Sequence, residues 1–68
     1  MNNTIYCLVM NTITSKATTL KTKVRPQKED LLLISYTIER VTDVLHVTEM
    51  TEKIIPDSKG YDLVVYTK

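Results

Sequence analysis

From Leu32 onward the apolar side chains fall at every second position, Leu32, Ile34, Tyr36 and Ile38, with Ser35, Thr37 and Glu39 between them. A period of two belongs to a strand with one face buried and the other wet. The alternation lies inside Leu31 to Val47, the longest apolar stretch of the chain, which contains no Gly, Pro or Asn. The core is therefore expected to be built on this stretch.

Two further segments carry strand patterns. Residues 4–13, TIYCLVMNTI, are an almost continuous apolar run rich in β-formers, which suits a strand covered on both faces and placed centrally in a sheet. After a polar turn at Thr14-Ser15-Lys16, residues 17–24 alternate, with Thr18, Leu20, Thr22 and Val24 on one face and Thr19, Lys21 and Lys23 on the other. That reads as a strand with a basic, solvated face, hairpin-paired to the first. Pro26 has no donor and biases Arg25 toward an extended conformation, so the pairing is expected to stop at Arg25-Pro26-Gln27-Lys28. Later, Ile55 to Gly60 gathers Pro, Asp, Ser and the chain's single Gly into one turn. Tyr61 to Thr67, YDLVVYT, then reads as a final strand.

The middle of the chain admits two structures. As strands, Leu32 to Arg40 pairs with Val44 to Ile55 through a reversal near Val41-Thr42-Asp43. As a helix, Leu31, Ile34, Ile38, Val41 and Leu45 make a stripe at helical spacing, and Pro26, Glu29 and Asp30 suit its start. Composition favours strands: eleven of the 27 residues from Glu29 to Ile55 are β-branched, and each costs roughly a few tenths of a kcal/mol in a helix. Against this, 41–43 offers no Gly or Asn to take a positive φ. The fold expected is a single domain over residues 1–68, mostly β, an antiparallel sheet or small barrel of four to five strands. The alternative is an α+β arrangement of three strands with one helix within 27–50.

Size adds a constraint. A chain of this length buries only about 60% of the surface its unfolded form exposes, so something should supplement the core. Cys7 is the one cysteine and excludes an internal disulfide. With His46 it cannot make a structural zinc site, so neither metal nor cofactor is expected. A second subunit remains, and a homo-oligomer is the expectation. The apolar runs Ile5 to Met10 and Leu31 to Ile34 fall far short of the roughly 20 residues of a membrane helix. The start MNNTIYCLVMN lacks the basic residues of a signal peptide, which makes the expected setting cytoplasmic, without a membrane partner.

Several chemistries are excluded by residue type. Gly60 alone cannot supply a G-x-G-x-x-G turn or a P-loop, both of which need several glycines to bring backbone amides to phosphate. One His and one Cys cannot form H-E-x-x-H or C-x-x-C. Cys7 could pair with His46 as nucleophile and base, but within an apolar run a cysteine behaves as a small buried hydrophobe. Glu49 and Glu52 read as a solvated charged face. No enzyme is expected.

Charge distribution is the remaining clue. Residues 1–28 hold Lys16, Lys21, Lys23, Arg25 and Lys28 and no acid, whereas all eight acids lie between Glu29 and Asp62. Together with Tyr36, Tyr61 and Tyr66, the five cations are the candidate binding residues. The function expected is that of a small non-enzymatic interaction protein, an adaptor or inhibitor, docking on a protein partner as a homodimer. The alternative is a β-sheet nucleic-acid-binding module using 16–28: Lys21 and Lys23 on one strand face would lie about 7 Å apart, near the spacing of successive phosphates.

Overall fold

In a computed structural model that describes residues 3–68, the chain forms β1 (Ile5–Asn11), β2 (Ala17–Thr22), β3 (Leu31–Ile34), β4 (Thr37–His46), the short helix α1 (Glu49–Ile54) and β5 (Leu63–Thr67). A single 3-10 turn, Pro56–Ser58, follows α1. The five strands make one sheet in the order β2-β1-β5-β4-β3, curled into a half-barrel. The mostly β, mostly antiparallel fold read from the sequence is the one observed. One pair departs from it: β1 and β5 run parallel, with Cys7 opposite Leu63 and Val9 opposite Val65. Connectivity accounts for this, because the chain leaves β2 at one edge, enters β3 at the other, and works inward through β4 to β5 beside β1.

The apolar run of β1 is interior, as its composition requires. Cys7, Leu8 and Val9 are all buried although successive side chains point to opposite faces. On one face Cys7, Val9, Ile34, Val41, Leu63 and Val65 form the core, with Ile5, Leu20, Leu32 and Val44 packed against it. The hairpin to β2 lacks glycine, yet it is well made. Asn11 Oδ1 accepts the backbone N–H groups of Ile13 (2.8 Å) and Thr14 (2.9 Å), and Ser15 takes a left-handed φ of 61°.

The middle segment is strand rather than a helix over 27–50, but it reverses elsewhere than expected. Leu32 to Arg40 is not one strand: the chain turns at Ser35-Tyr36, with Ile34 and Thr37 as the closing pair. Both turn residues have positive φ, 49° and 69°, the signature of a type I′ hairpin turn. The expected reversal at Val41-Thr42-Asp43 is instead a β-bulge inside the continuous strand β4. Thr42 is the extra residue, and its Oγ1 donates to the Tyr66 carbonyl at 3.2 Å. Val44 to Ile55 is not a strand either. It ends β4 at His46 and then forms α1, where Thr48 caps the helix and Glu49 and Glu52 occupy the first turn, the end that favours negative charge.

Between β2 and β3, residues 23–30 cross from one sheet edge to the other. Pro26 is buried in this crossing, and the Glu29 N–H donates to the Val41 carbonyl while the Val41 N–H donates to the Asp30 carbonyl. No helix among the described residues is long and apolar enough to cross a membrane.

Candidate docking surface

The alternation of β3 and β4 decides what the edge of the sheet displays. A two-residue turn places Ile34 and Thr37 on the same face, so Leu32 and Ile34 point into the core while Leu31, Leu33 and Ile38 point away from it. Leu31 is 68% exposed, Leu33 67% and Ile38 64%. Tyr36, at the tip, is 100% exposed. Four large apolar side chains thus stand in solvent on one hairpin, at the outermost strand of the sheet. Isolated exposed apolar residues are ordinary, whereas Leu31, Leu33 and Ile38 are neighbours on one face of one hairpin.

Tyr36 adds a second signal. A bulky L-residue at φ 69° is uncommon, since that region suits Gly, Asn and Asp. Strain of this sort costs on the order of 1–3 kcal/mol and gathers at functional sites. Here it holds an aromatic ring fully in water, where the ring stabilises nothing within the fold.

The five cations are all exposed, but they do not share one face. Lys21 lies on the outer side of β2 with its Nζ 5.7 Å from the centroid of the Tyr6 ring. Lys23 lies beyond the end of β2, in a bend, so the expected common strand face with Lys21 is not formed. Lys16 precedes the other end of β2, and Arg25 and Lys28 lie in the crossing segment. Among the described residues one ion pair forms, Arg40 to Glu29 at 3.8 Å, and it involves none of the five.

The three tyrosines also separate. Tyr36 tips the apolar hairpin. Tyr61 precedes β5 and its hydroxyl reaches Thr19 Oγ1 on β2 at 2.6 Å. Tyr66 lies half-buried in β5, in register with Met10 and Asp43. The structure therefore brings Tyr61 and Lys21 to the outer face of β1 and β2, and places Tyr36 with Leu31, Leu33 and Ile38, residues the sequence reading assigned to the core stretch rather than to a binding surface. The signal that could have found them is the run of four apolar residues, Leu31 to Ile34: an edge strand with apolar residues at consecutive positions must expose half of them.

A cleft of about 420 Å³ opens between β2 and the β3–β4 hairpin, with Val9 and Ile34 in its lining and Lys16, Glu39 and Lys68 among its polar groups. Glu39 is already engaged, accepting the Thr67 hydroxyl. Cys7 is fully buried, and desolvation, reinforced by the nearby charge of Asp62, raises its thiol pKa. His46 lies on the same sheet face but two strands away, with Leu63 paired between them, so thiol and imidazole do not meet as nucleophile and base. Among the described residues no group of three or more His, Cys, Asp or Glu is placed to hold a metal ion.

The chain is a small mixed-sheet half-barrel with exposed apolar side chains along its β3–β4 hairpin. No family model, curated protein or solved structure matches the chain.

Proposed function

We propose that the protein is a non-enzymatic interaction protein, an adaptor or inhibitor, which docks on a protein partner through the β3–β4 hairpin and works as a homodimer in the cytoplasm. The observation that carries this reading is the grouping of Leu31, Leu33, Ile38 and the strained, fully exposed Tyr36 on one edge hairpin. Aromatic anchors such as tyrosine carry much of the energy of protein interfaces, and the apolar residues around them exclude water. The test is a photoreactive phenylalanine analogue at position 36, irradiated in native lysate and compared with the same protein carrying Leu33→Lys. Discrete cross-linked bands at masses other than that of two joined copies of this chain, which vanish with Leu33→Lys, support docking by this hairpin. A hairpin that cross-links to nothing would end the proposal.

A second reading, binding of nucleic acid, draws on the five exposed cations, none of them in an ion pair among the described residues, and on the stacking of Lys21 over Tyr6. It is weakened by the separation of Lys16 from Lys23 along the length of β2, and by Asp62, whose carboxylate accepts the Tyr6 N–H at 2.9 Å. Titration of single- and double-stranded oligonucleotides at two salt concentrations decides it. Affinity that falls steeply with salt supports the reading, and no salt-sensitive binding removes it.

A further inference from the structure

Deepening the docking role just proposed, and resting on it, we infer that the occupant of the β3 edge is a second copy of this chain, paired antiparallel with β3 about a two-fold axis at Leu32. The two edges of the sheet differ sharply. β2 carries Lys21, with Lys16 and Lys23 beside its ends, and charged side chains on an edge strand deter pairing. β3 reads Leu-Leu-Leu-Ile, with no charge, no proline and no bulge. Among the described residues it has no strand neighbour on the side away from β4.

This edge is complementary to itself. In an antiparallel pair centred on Leu32, Leu31 of each copy faces Leu33 of the other, so residues that point outward meet residues that point outward. Leu32 faces its own counterpart on the inner side and joins the two cores across the axis. The next pair outward sets Asp30 against Ile34, so the register brings no like charges together. Leu31, Leu33 and Ile38 of both copies then form one continuous apolar strip. Ile38 lies one strand in from the edge and Tyr36 beyond the end of β3, so the contact is made by the four residues of β3 alone, belongs with weak, concentration-dependent associations, and leaves Tyr36 free for a partner. An isologous contact of this kind closes on itself.

Sedimentation equilibrium on the full chain, from about 5 to 200 µM, tests the pairing. The expected result is a mass of two chains at the upper end for the wild type and at least a tenfold weaker dimer for Leu33→Lys. Leu33 is 67% exposed, so this variant keeps the wild-type circular dichroism spectrum. Register is read by single cysteines: Leu31→Cys mixed with Leu33→Cys forms an interchain disulfide on mild oxidation, whereas neither does so alone. Cys7 is buried and does not compete. A single-chain mass throughout, a dimer indifferent to Leu33→Lys, or a mixture that fails to cross-link would each overturn the pairing. If the chain is a monomer but position 36 still cross-links to other proteins, the docking role stands and the edge belongs to a foreign strand. A dimer whose position 36 labels no other protein keeps the pairing and loses the docking role.

Discussion

The Tyr61 hydroxyl lies 2.6 Å from Oγ1 of Thr19, so a side chain rooted just before β5 reaches across β1 to the edge strand β2. Thr19 and Val64 are the register partners of Leu8, and Leu8 is only 4% exposed although it points away from the main core. Tyr61 is thus a strap over the second face. Tyr61→Phe should cost about 1 kcal/mol, the net worth of one hydrogen bond, and Tyr61→Ala about 3 kcal/mol, because the ring's cover is lost as well. Urea midpoints read both values, and an unchanged midpoint for Tyr61→Ala would show that the strap carries no stability.

The β3–β4 turn is built from residues poorly suited to it. Replacing Ser35 and Tyr36 together by Asn-Gly, the preferred pair for a type I′ turn, should stabilise the fold by roughly 1–2 kcal/mol. Thermal unfolding of the double variant is the check, and a lowered Tm would mean that Tyr36 makes contacts within the fold.

Core and edge should respond oppositely to truncation. Val65 is fully buried among Cys7, Val9, Val41 and Leu63, and Val65→Ala should cost about 2–3 kcal/mol, a large fraction of the stability of so small a domain. Leu33→Ala, at an exposed position, should change the monomer by less than about 0.5 kcal/mol. Equal losses at the two positions would contradict the assignment of faces.

The thiol of Cys7 has its pKa raised by burial and by Asp62. In the unfolded chain it ionises in the ordinary range, about 8.5. Stability tied to the neutral thiol is therefore fully present below that pH and is lost as the pH rises through it toward the folded value. Denaturation between about pH 7 and 10.5 should show a decline that is shallower for Cys7→Val. In native protein near neutrality the thiol should react with a disulfide reagent far more slowly than in urea.

The alternation of apolar residues identified the strand content and the interior place of β1, because Cys7, Leu8 and Val9 are apolar at consecutive positions and need cover on both faces. It misled at Tyr36. Leu32 and Ile34 face inward while Ile38 faces outward, so the run Leu32, Ile34, Tyr36, Ile38 spans two strands and both sides of the sheet. No turn chemistry warned of this, since Ser-Tyr is not a pair that favours positive φ. The bulge at Thr42 was hidden for a related reason: a single inserted residue leaves no compositional trace. In the hairpin between β1 and β2, Ser15 takes the positive φ usual for glycine and the Asn11 side chain, inside the apolar run 4–13, holds the turn. Charge and aromatic type single out Tyr36 but not Leu31, Leu33 and Ile38, whose exposure depends on which strand is outermost, a property of the topology.

The parallel pairing of β1 with β5 joins segments almost sixty positions apart at the middle of the sheet, and the strand made last separates the hairpin made first from the one made second. Local hairpins can zip within microseconds, but neither finds its neighbour until residues 63–67 have been synthesised and slotted between them. Assembly is therefore a late, all-at-once event with a long closure to complete. During that wait the bare leucines of the third strand are available to any newly made chain nearby.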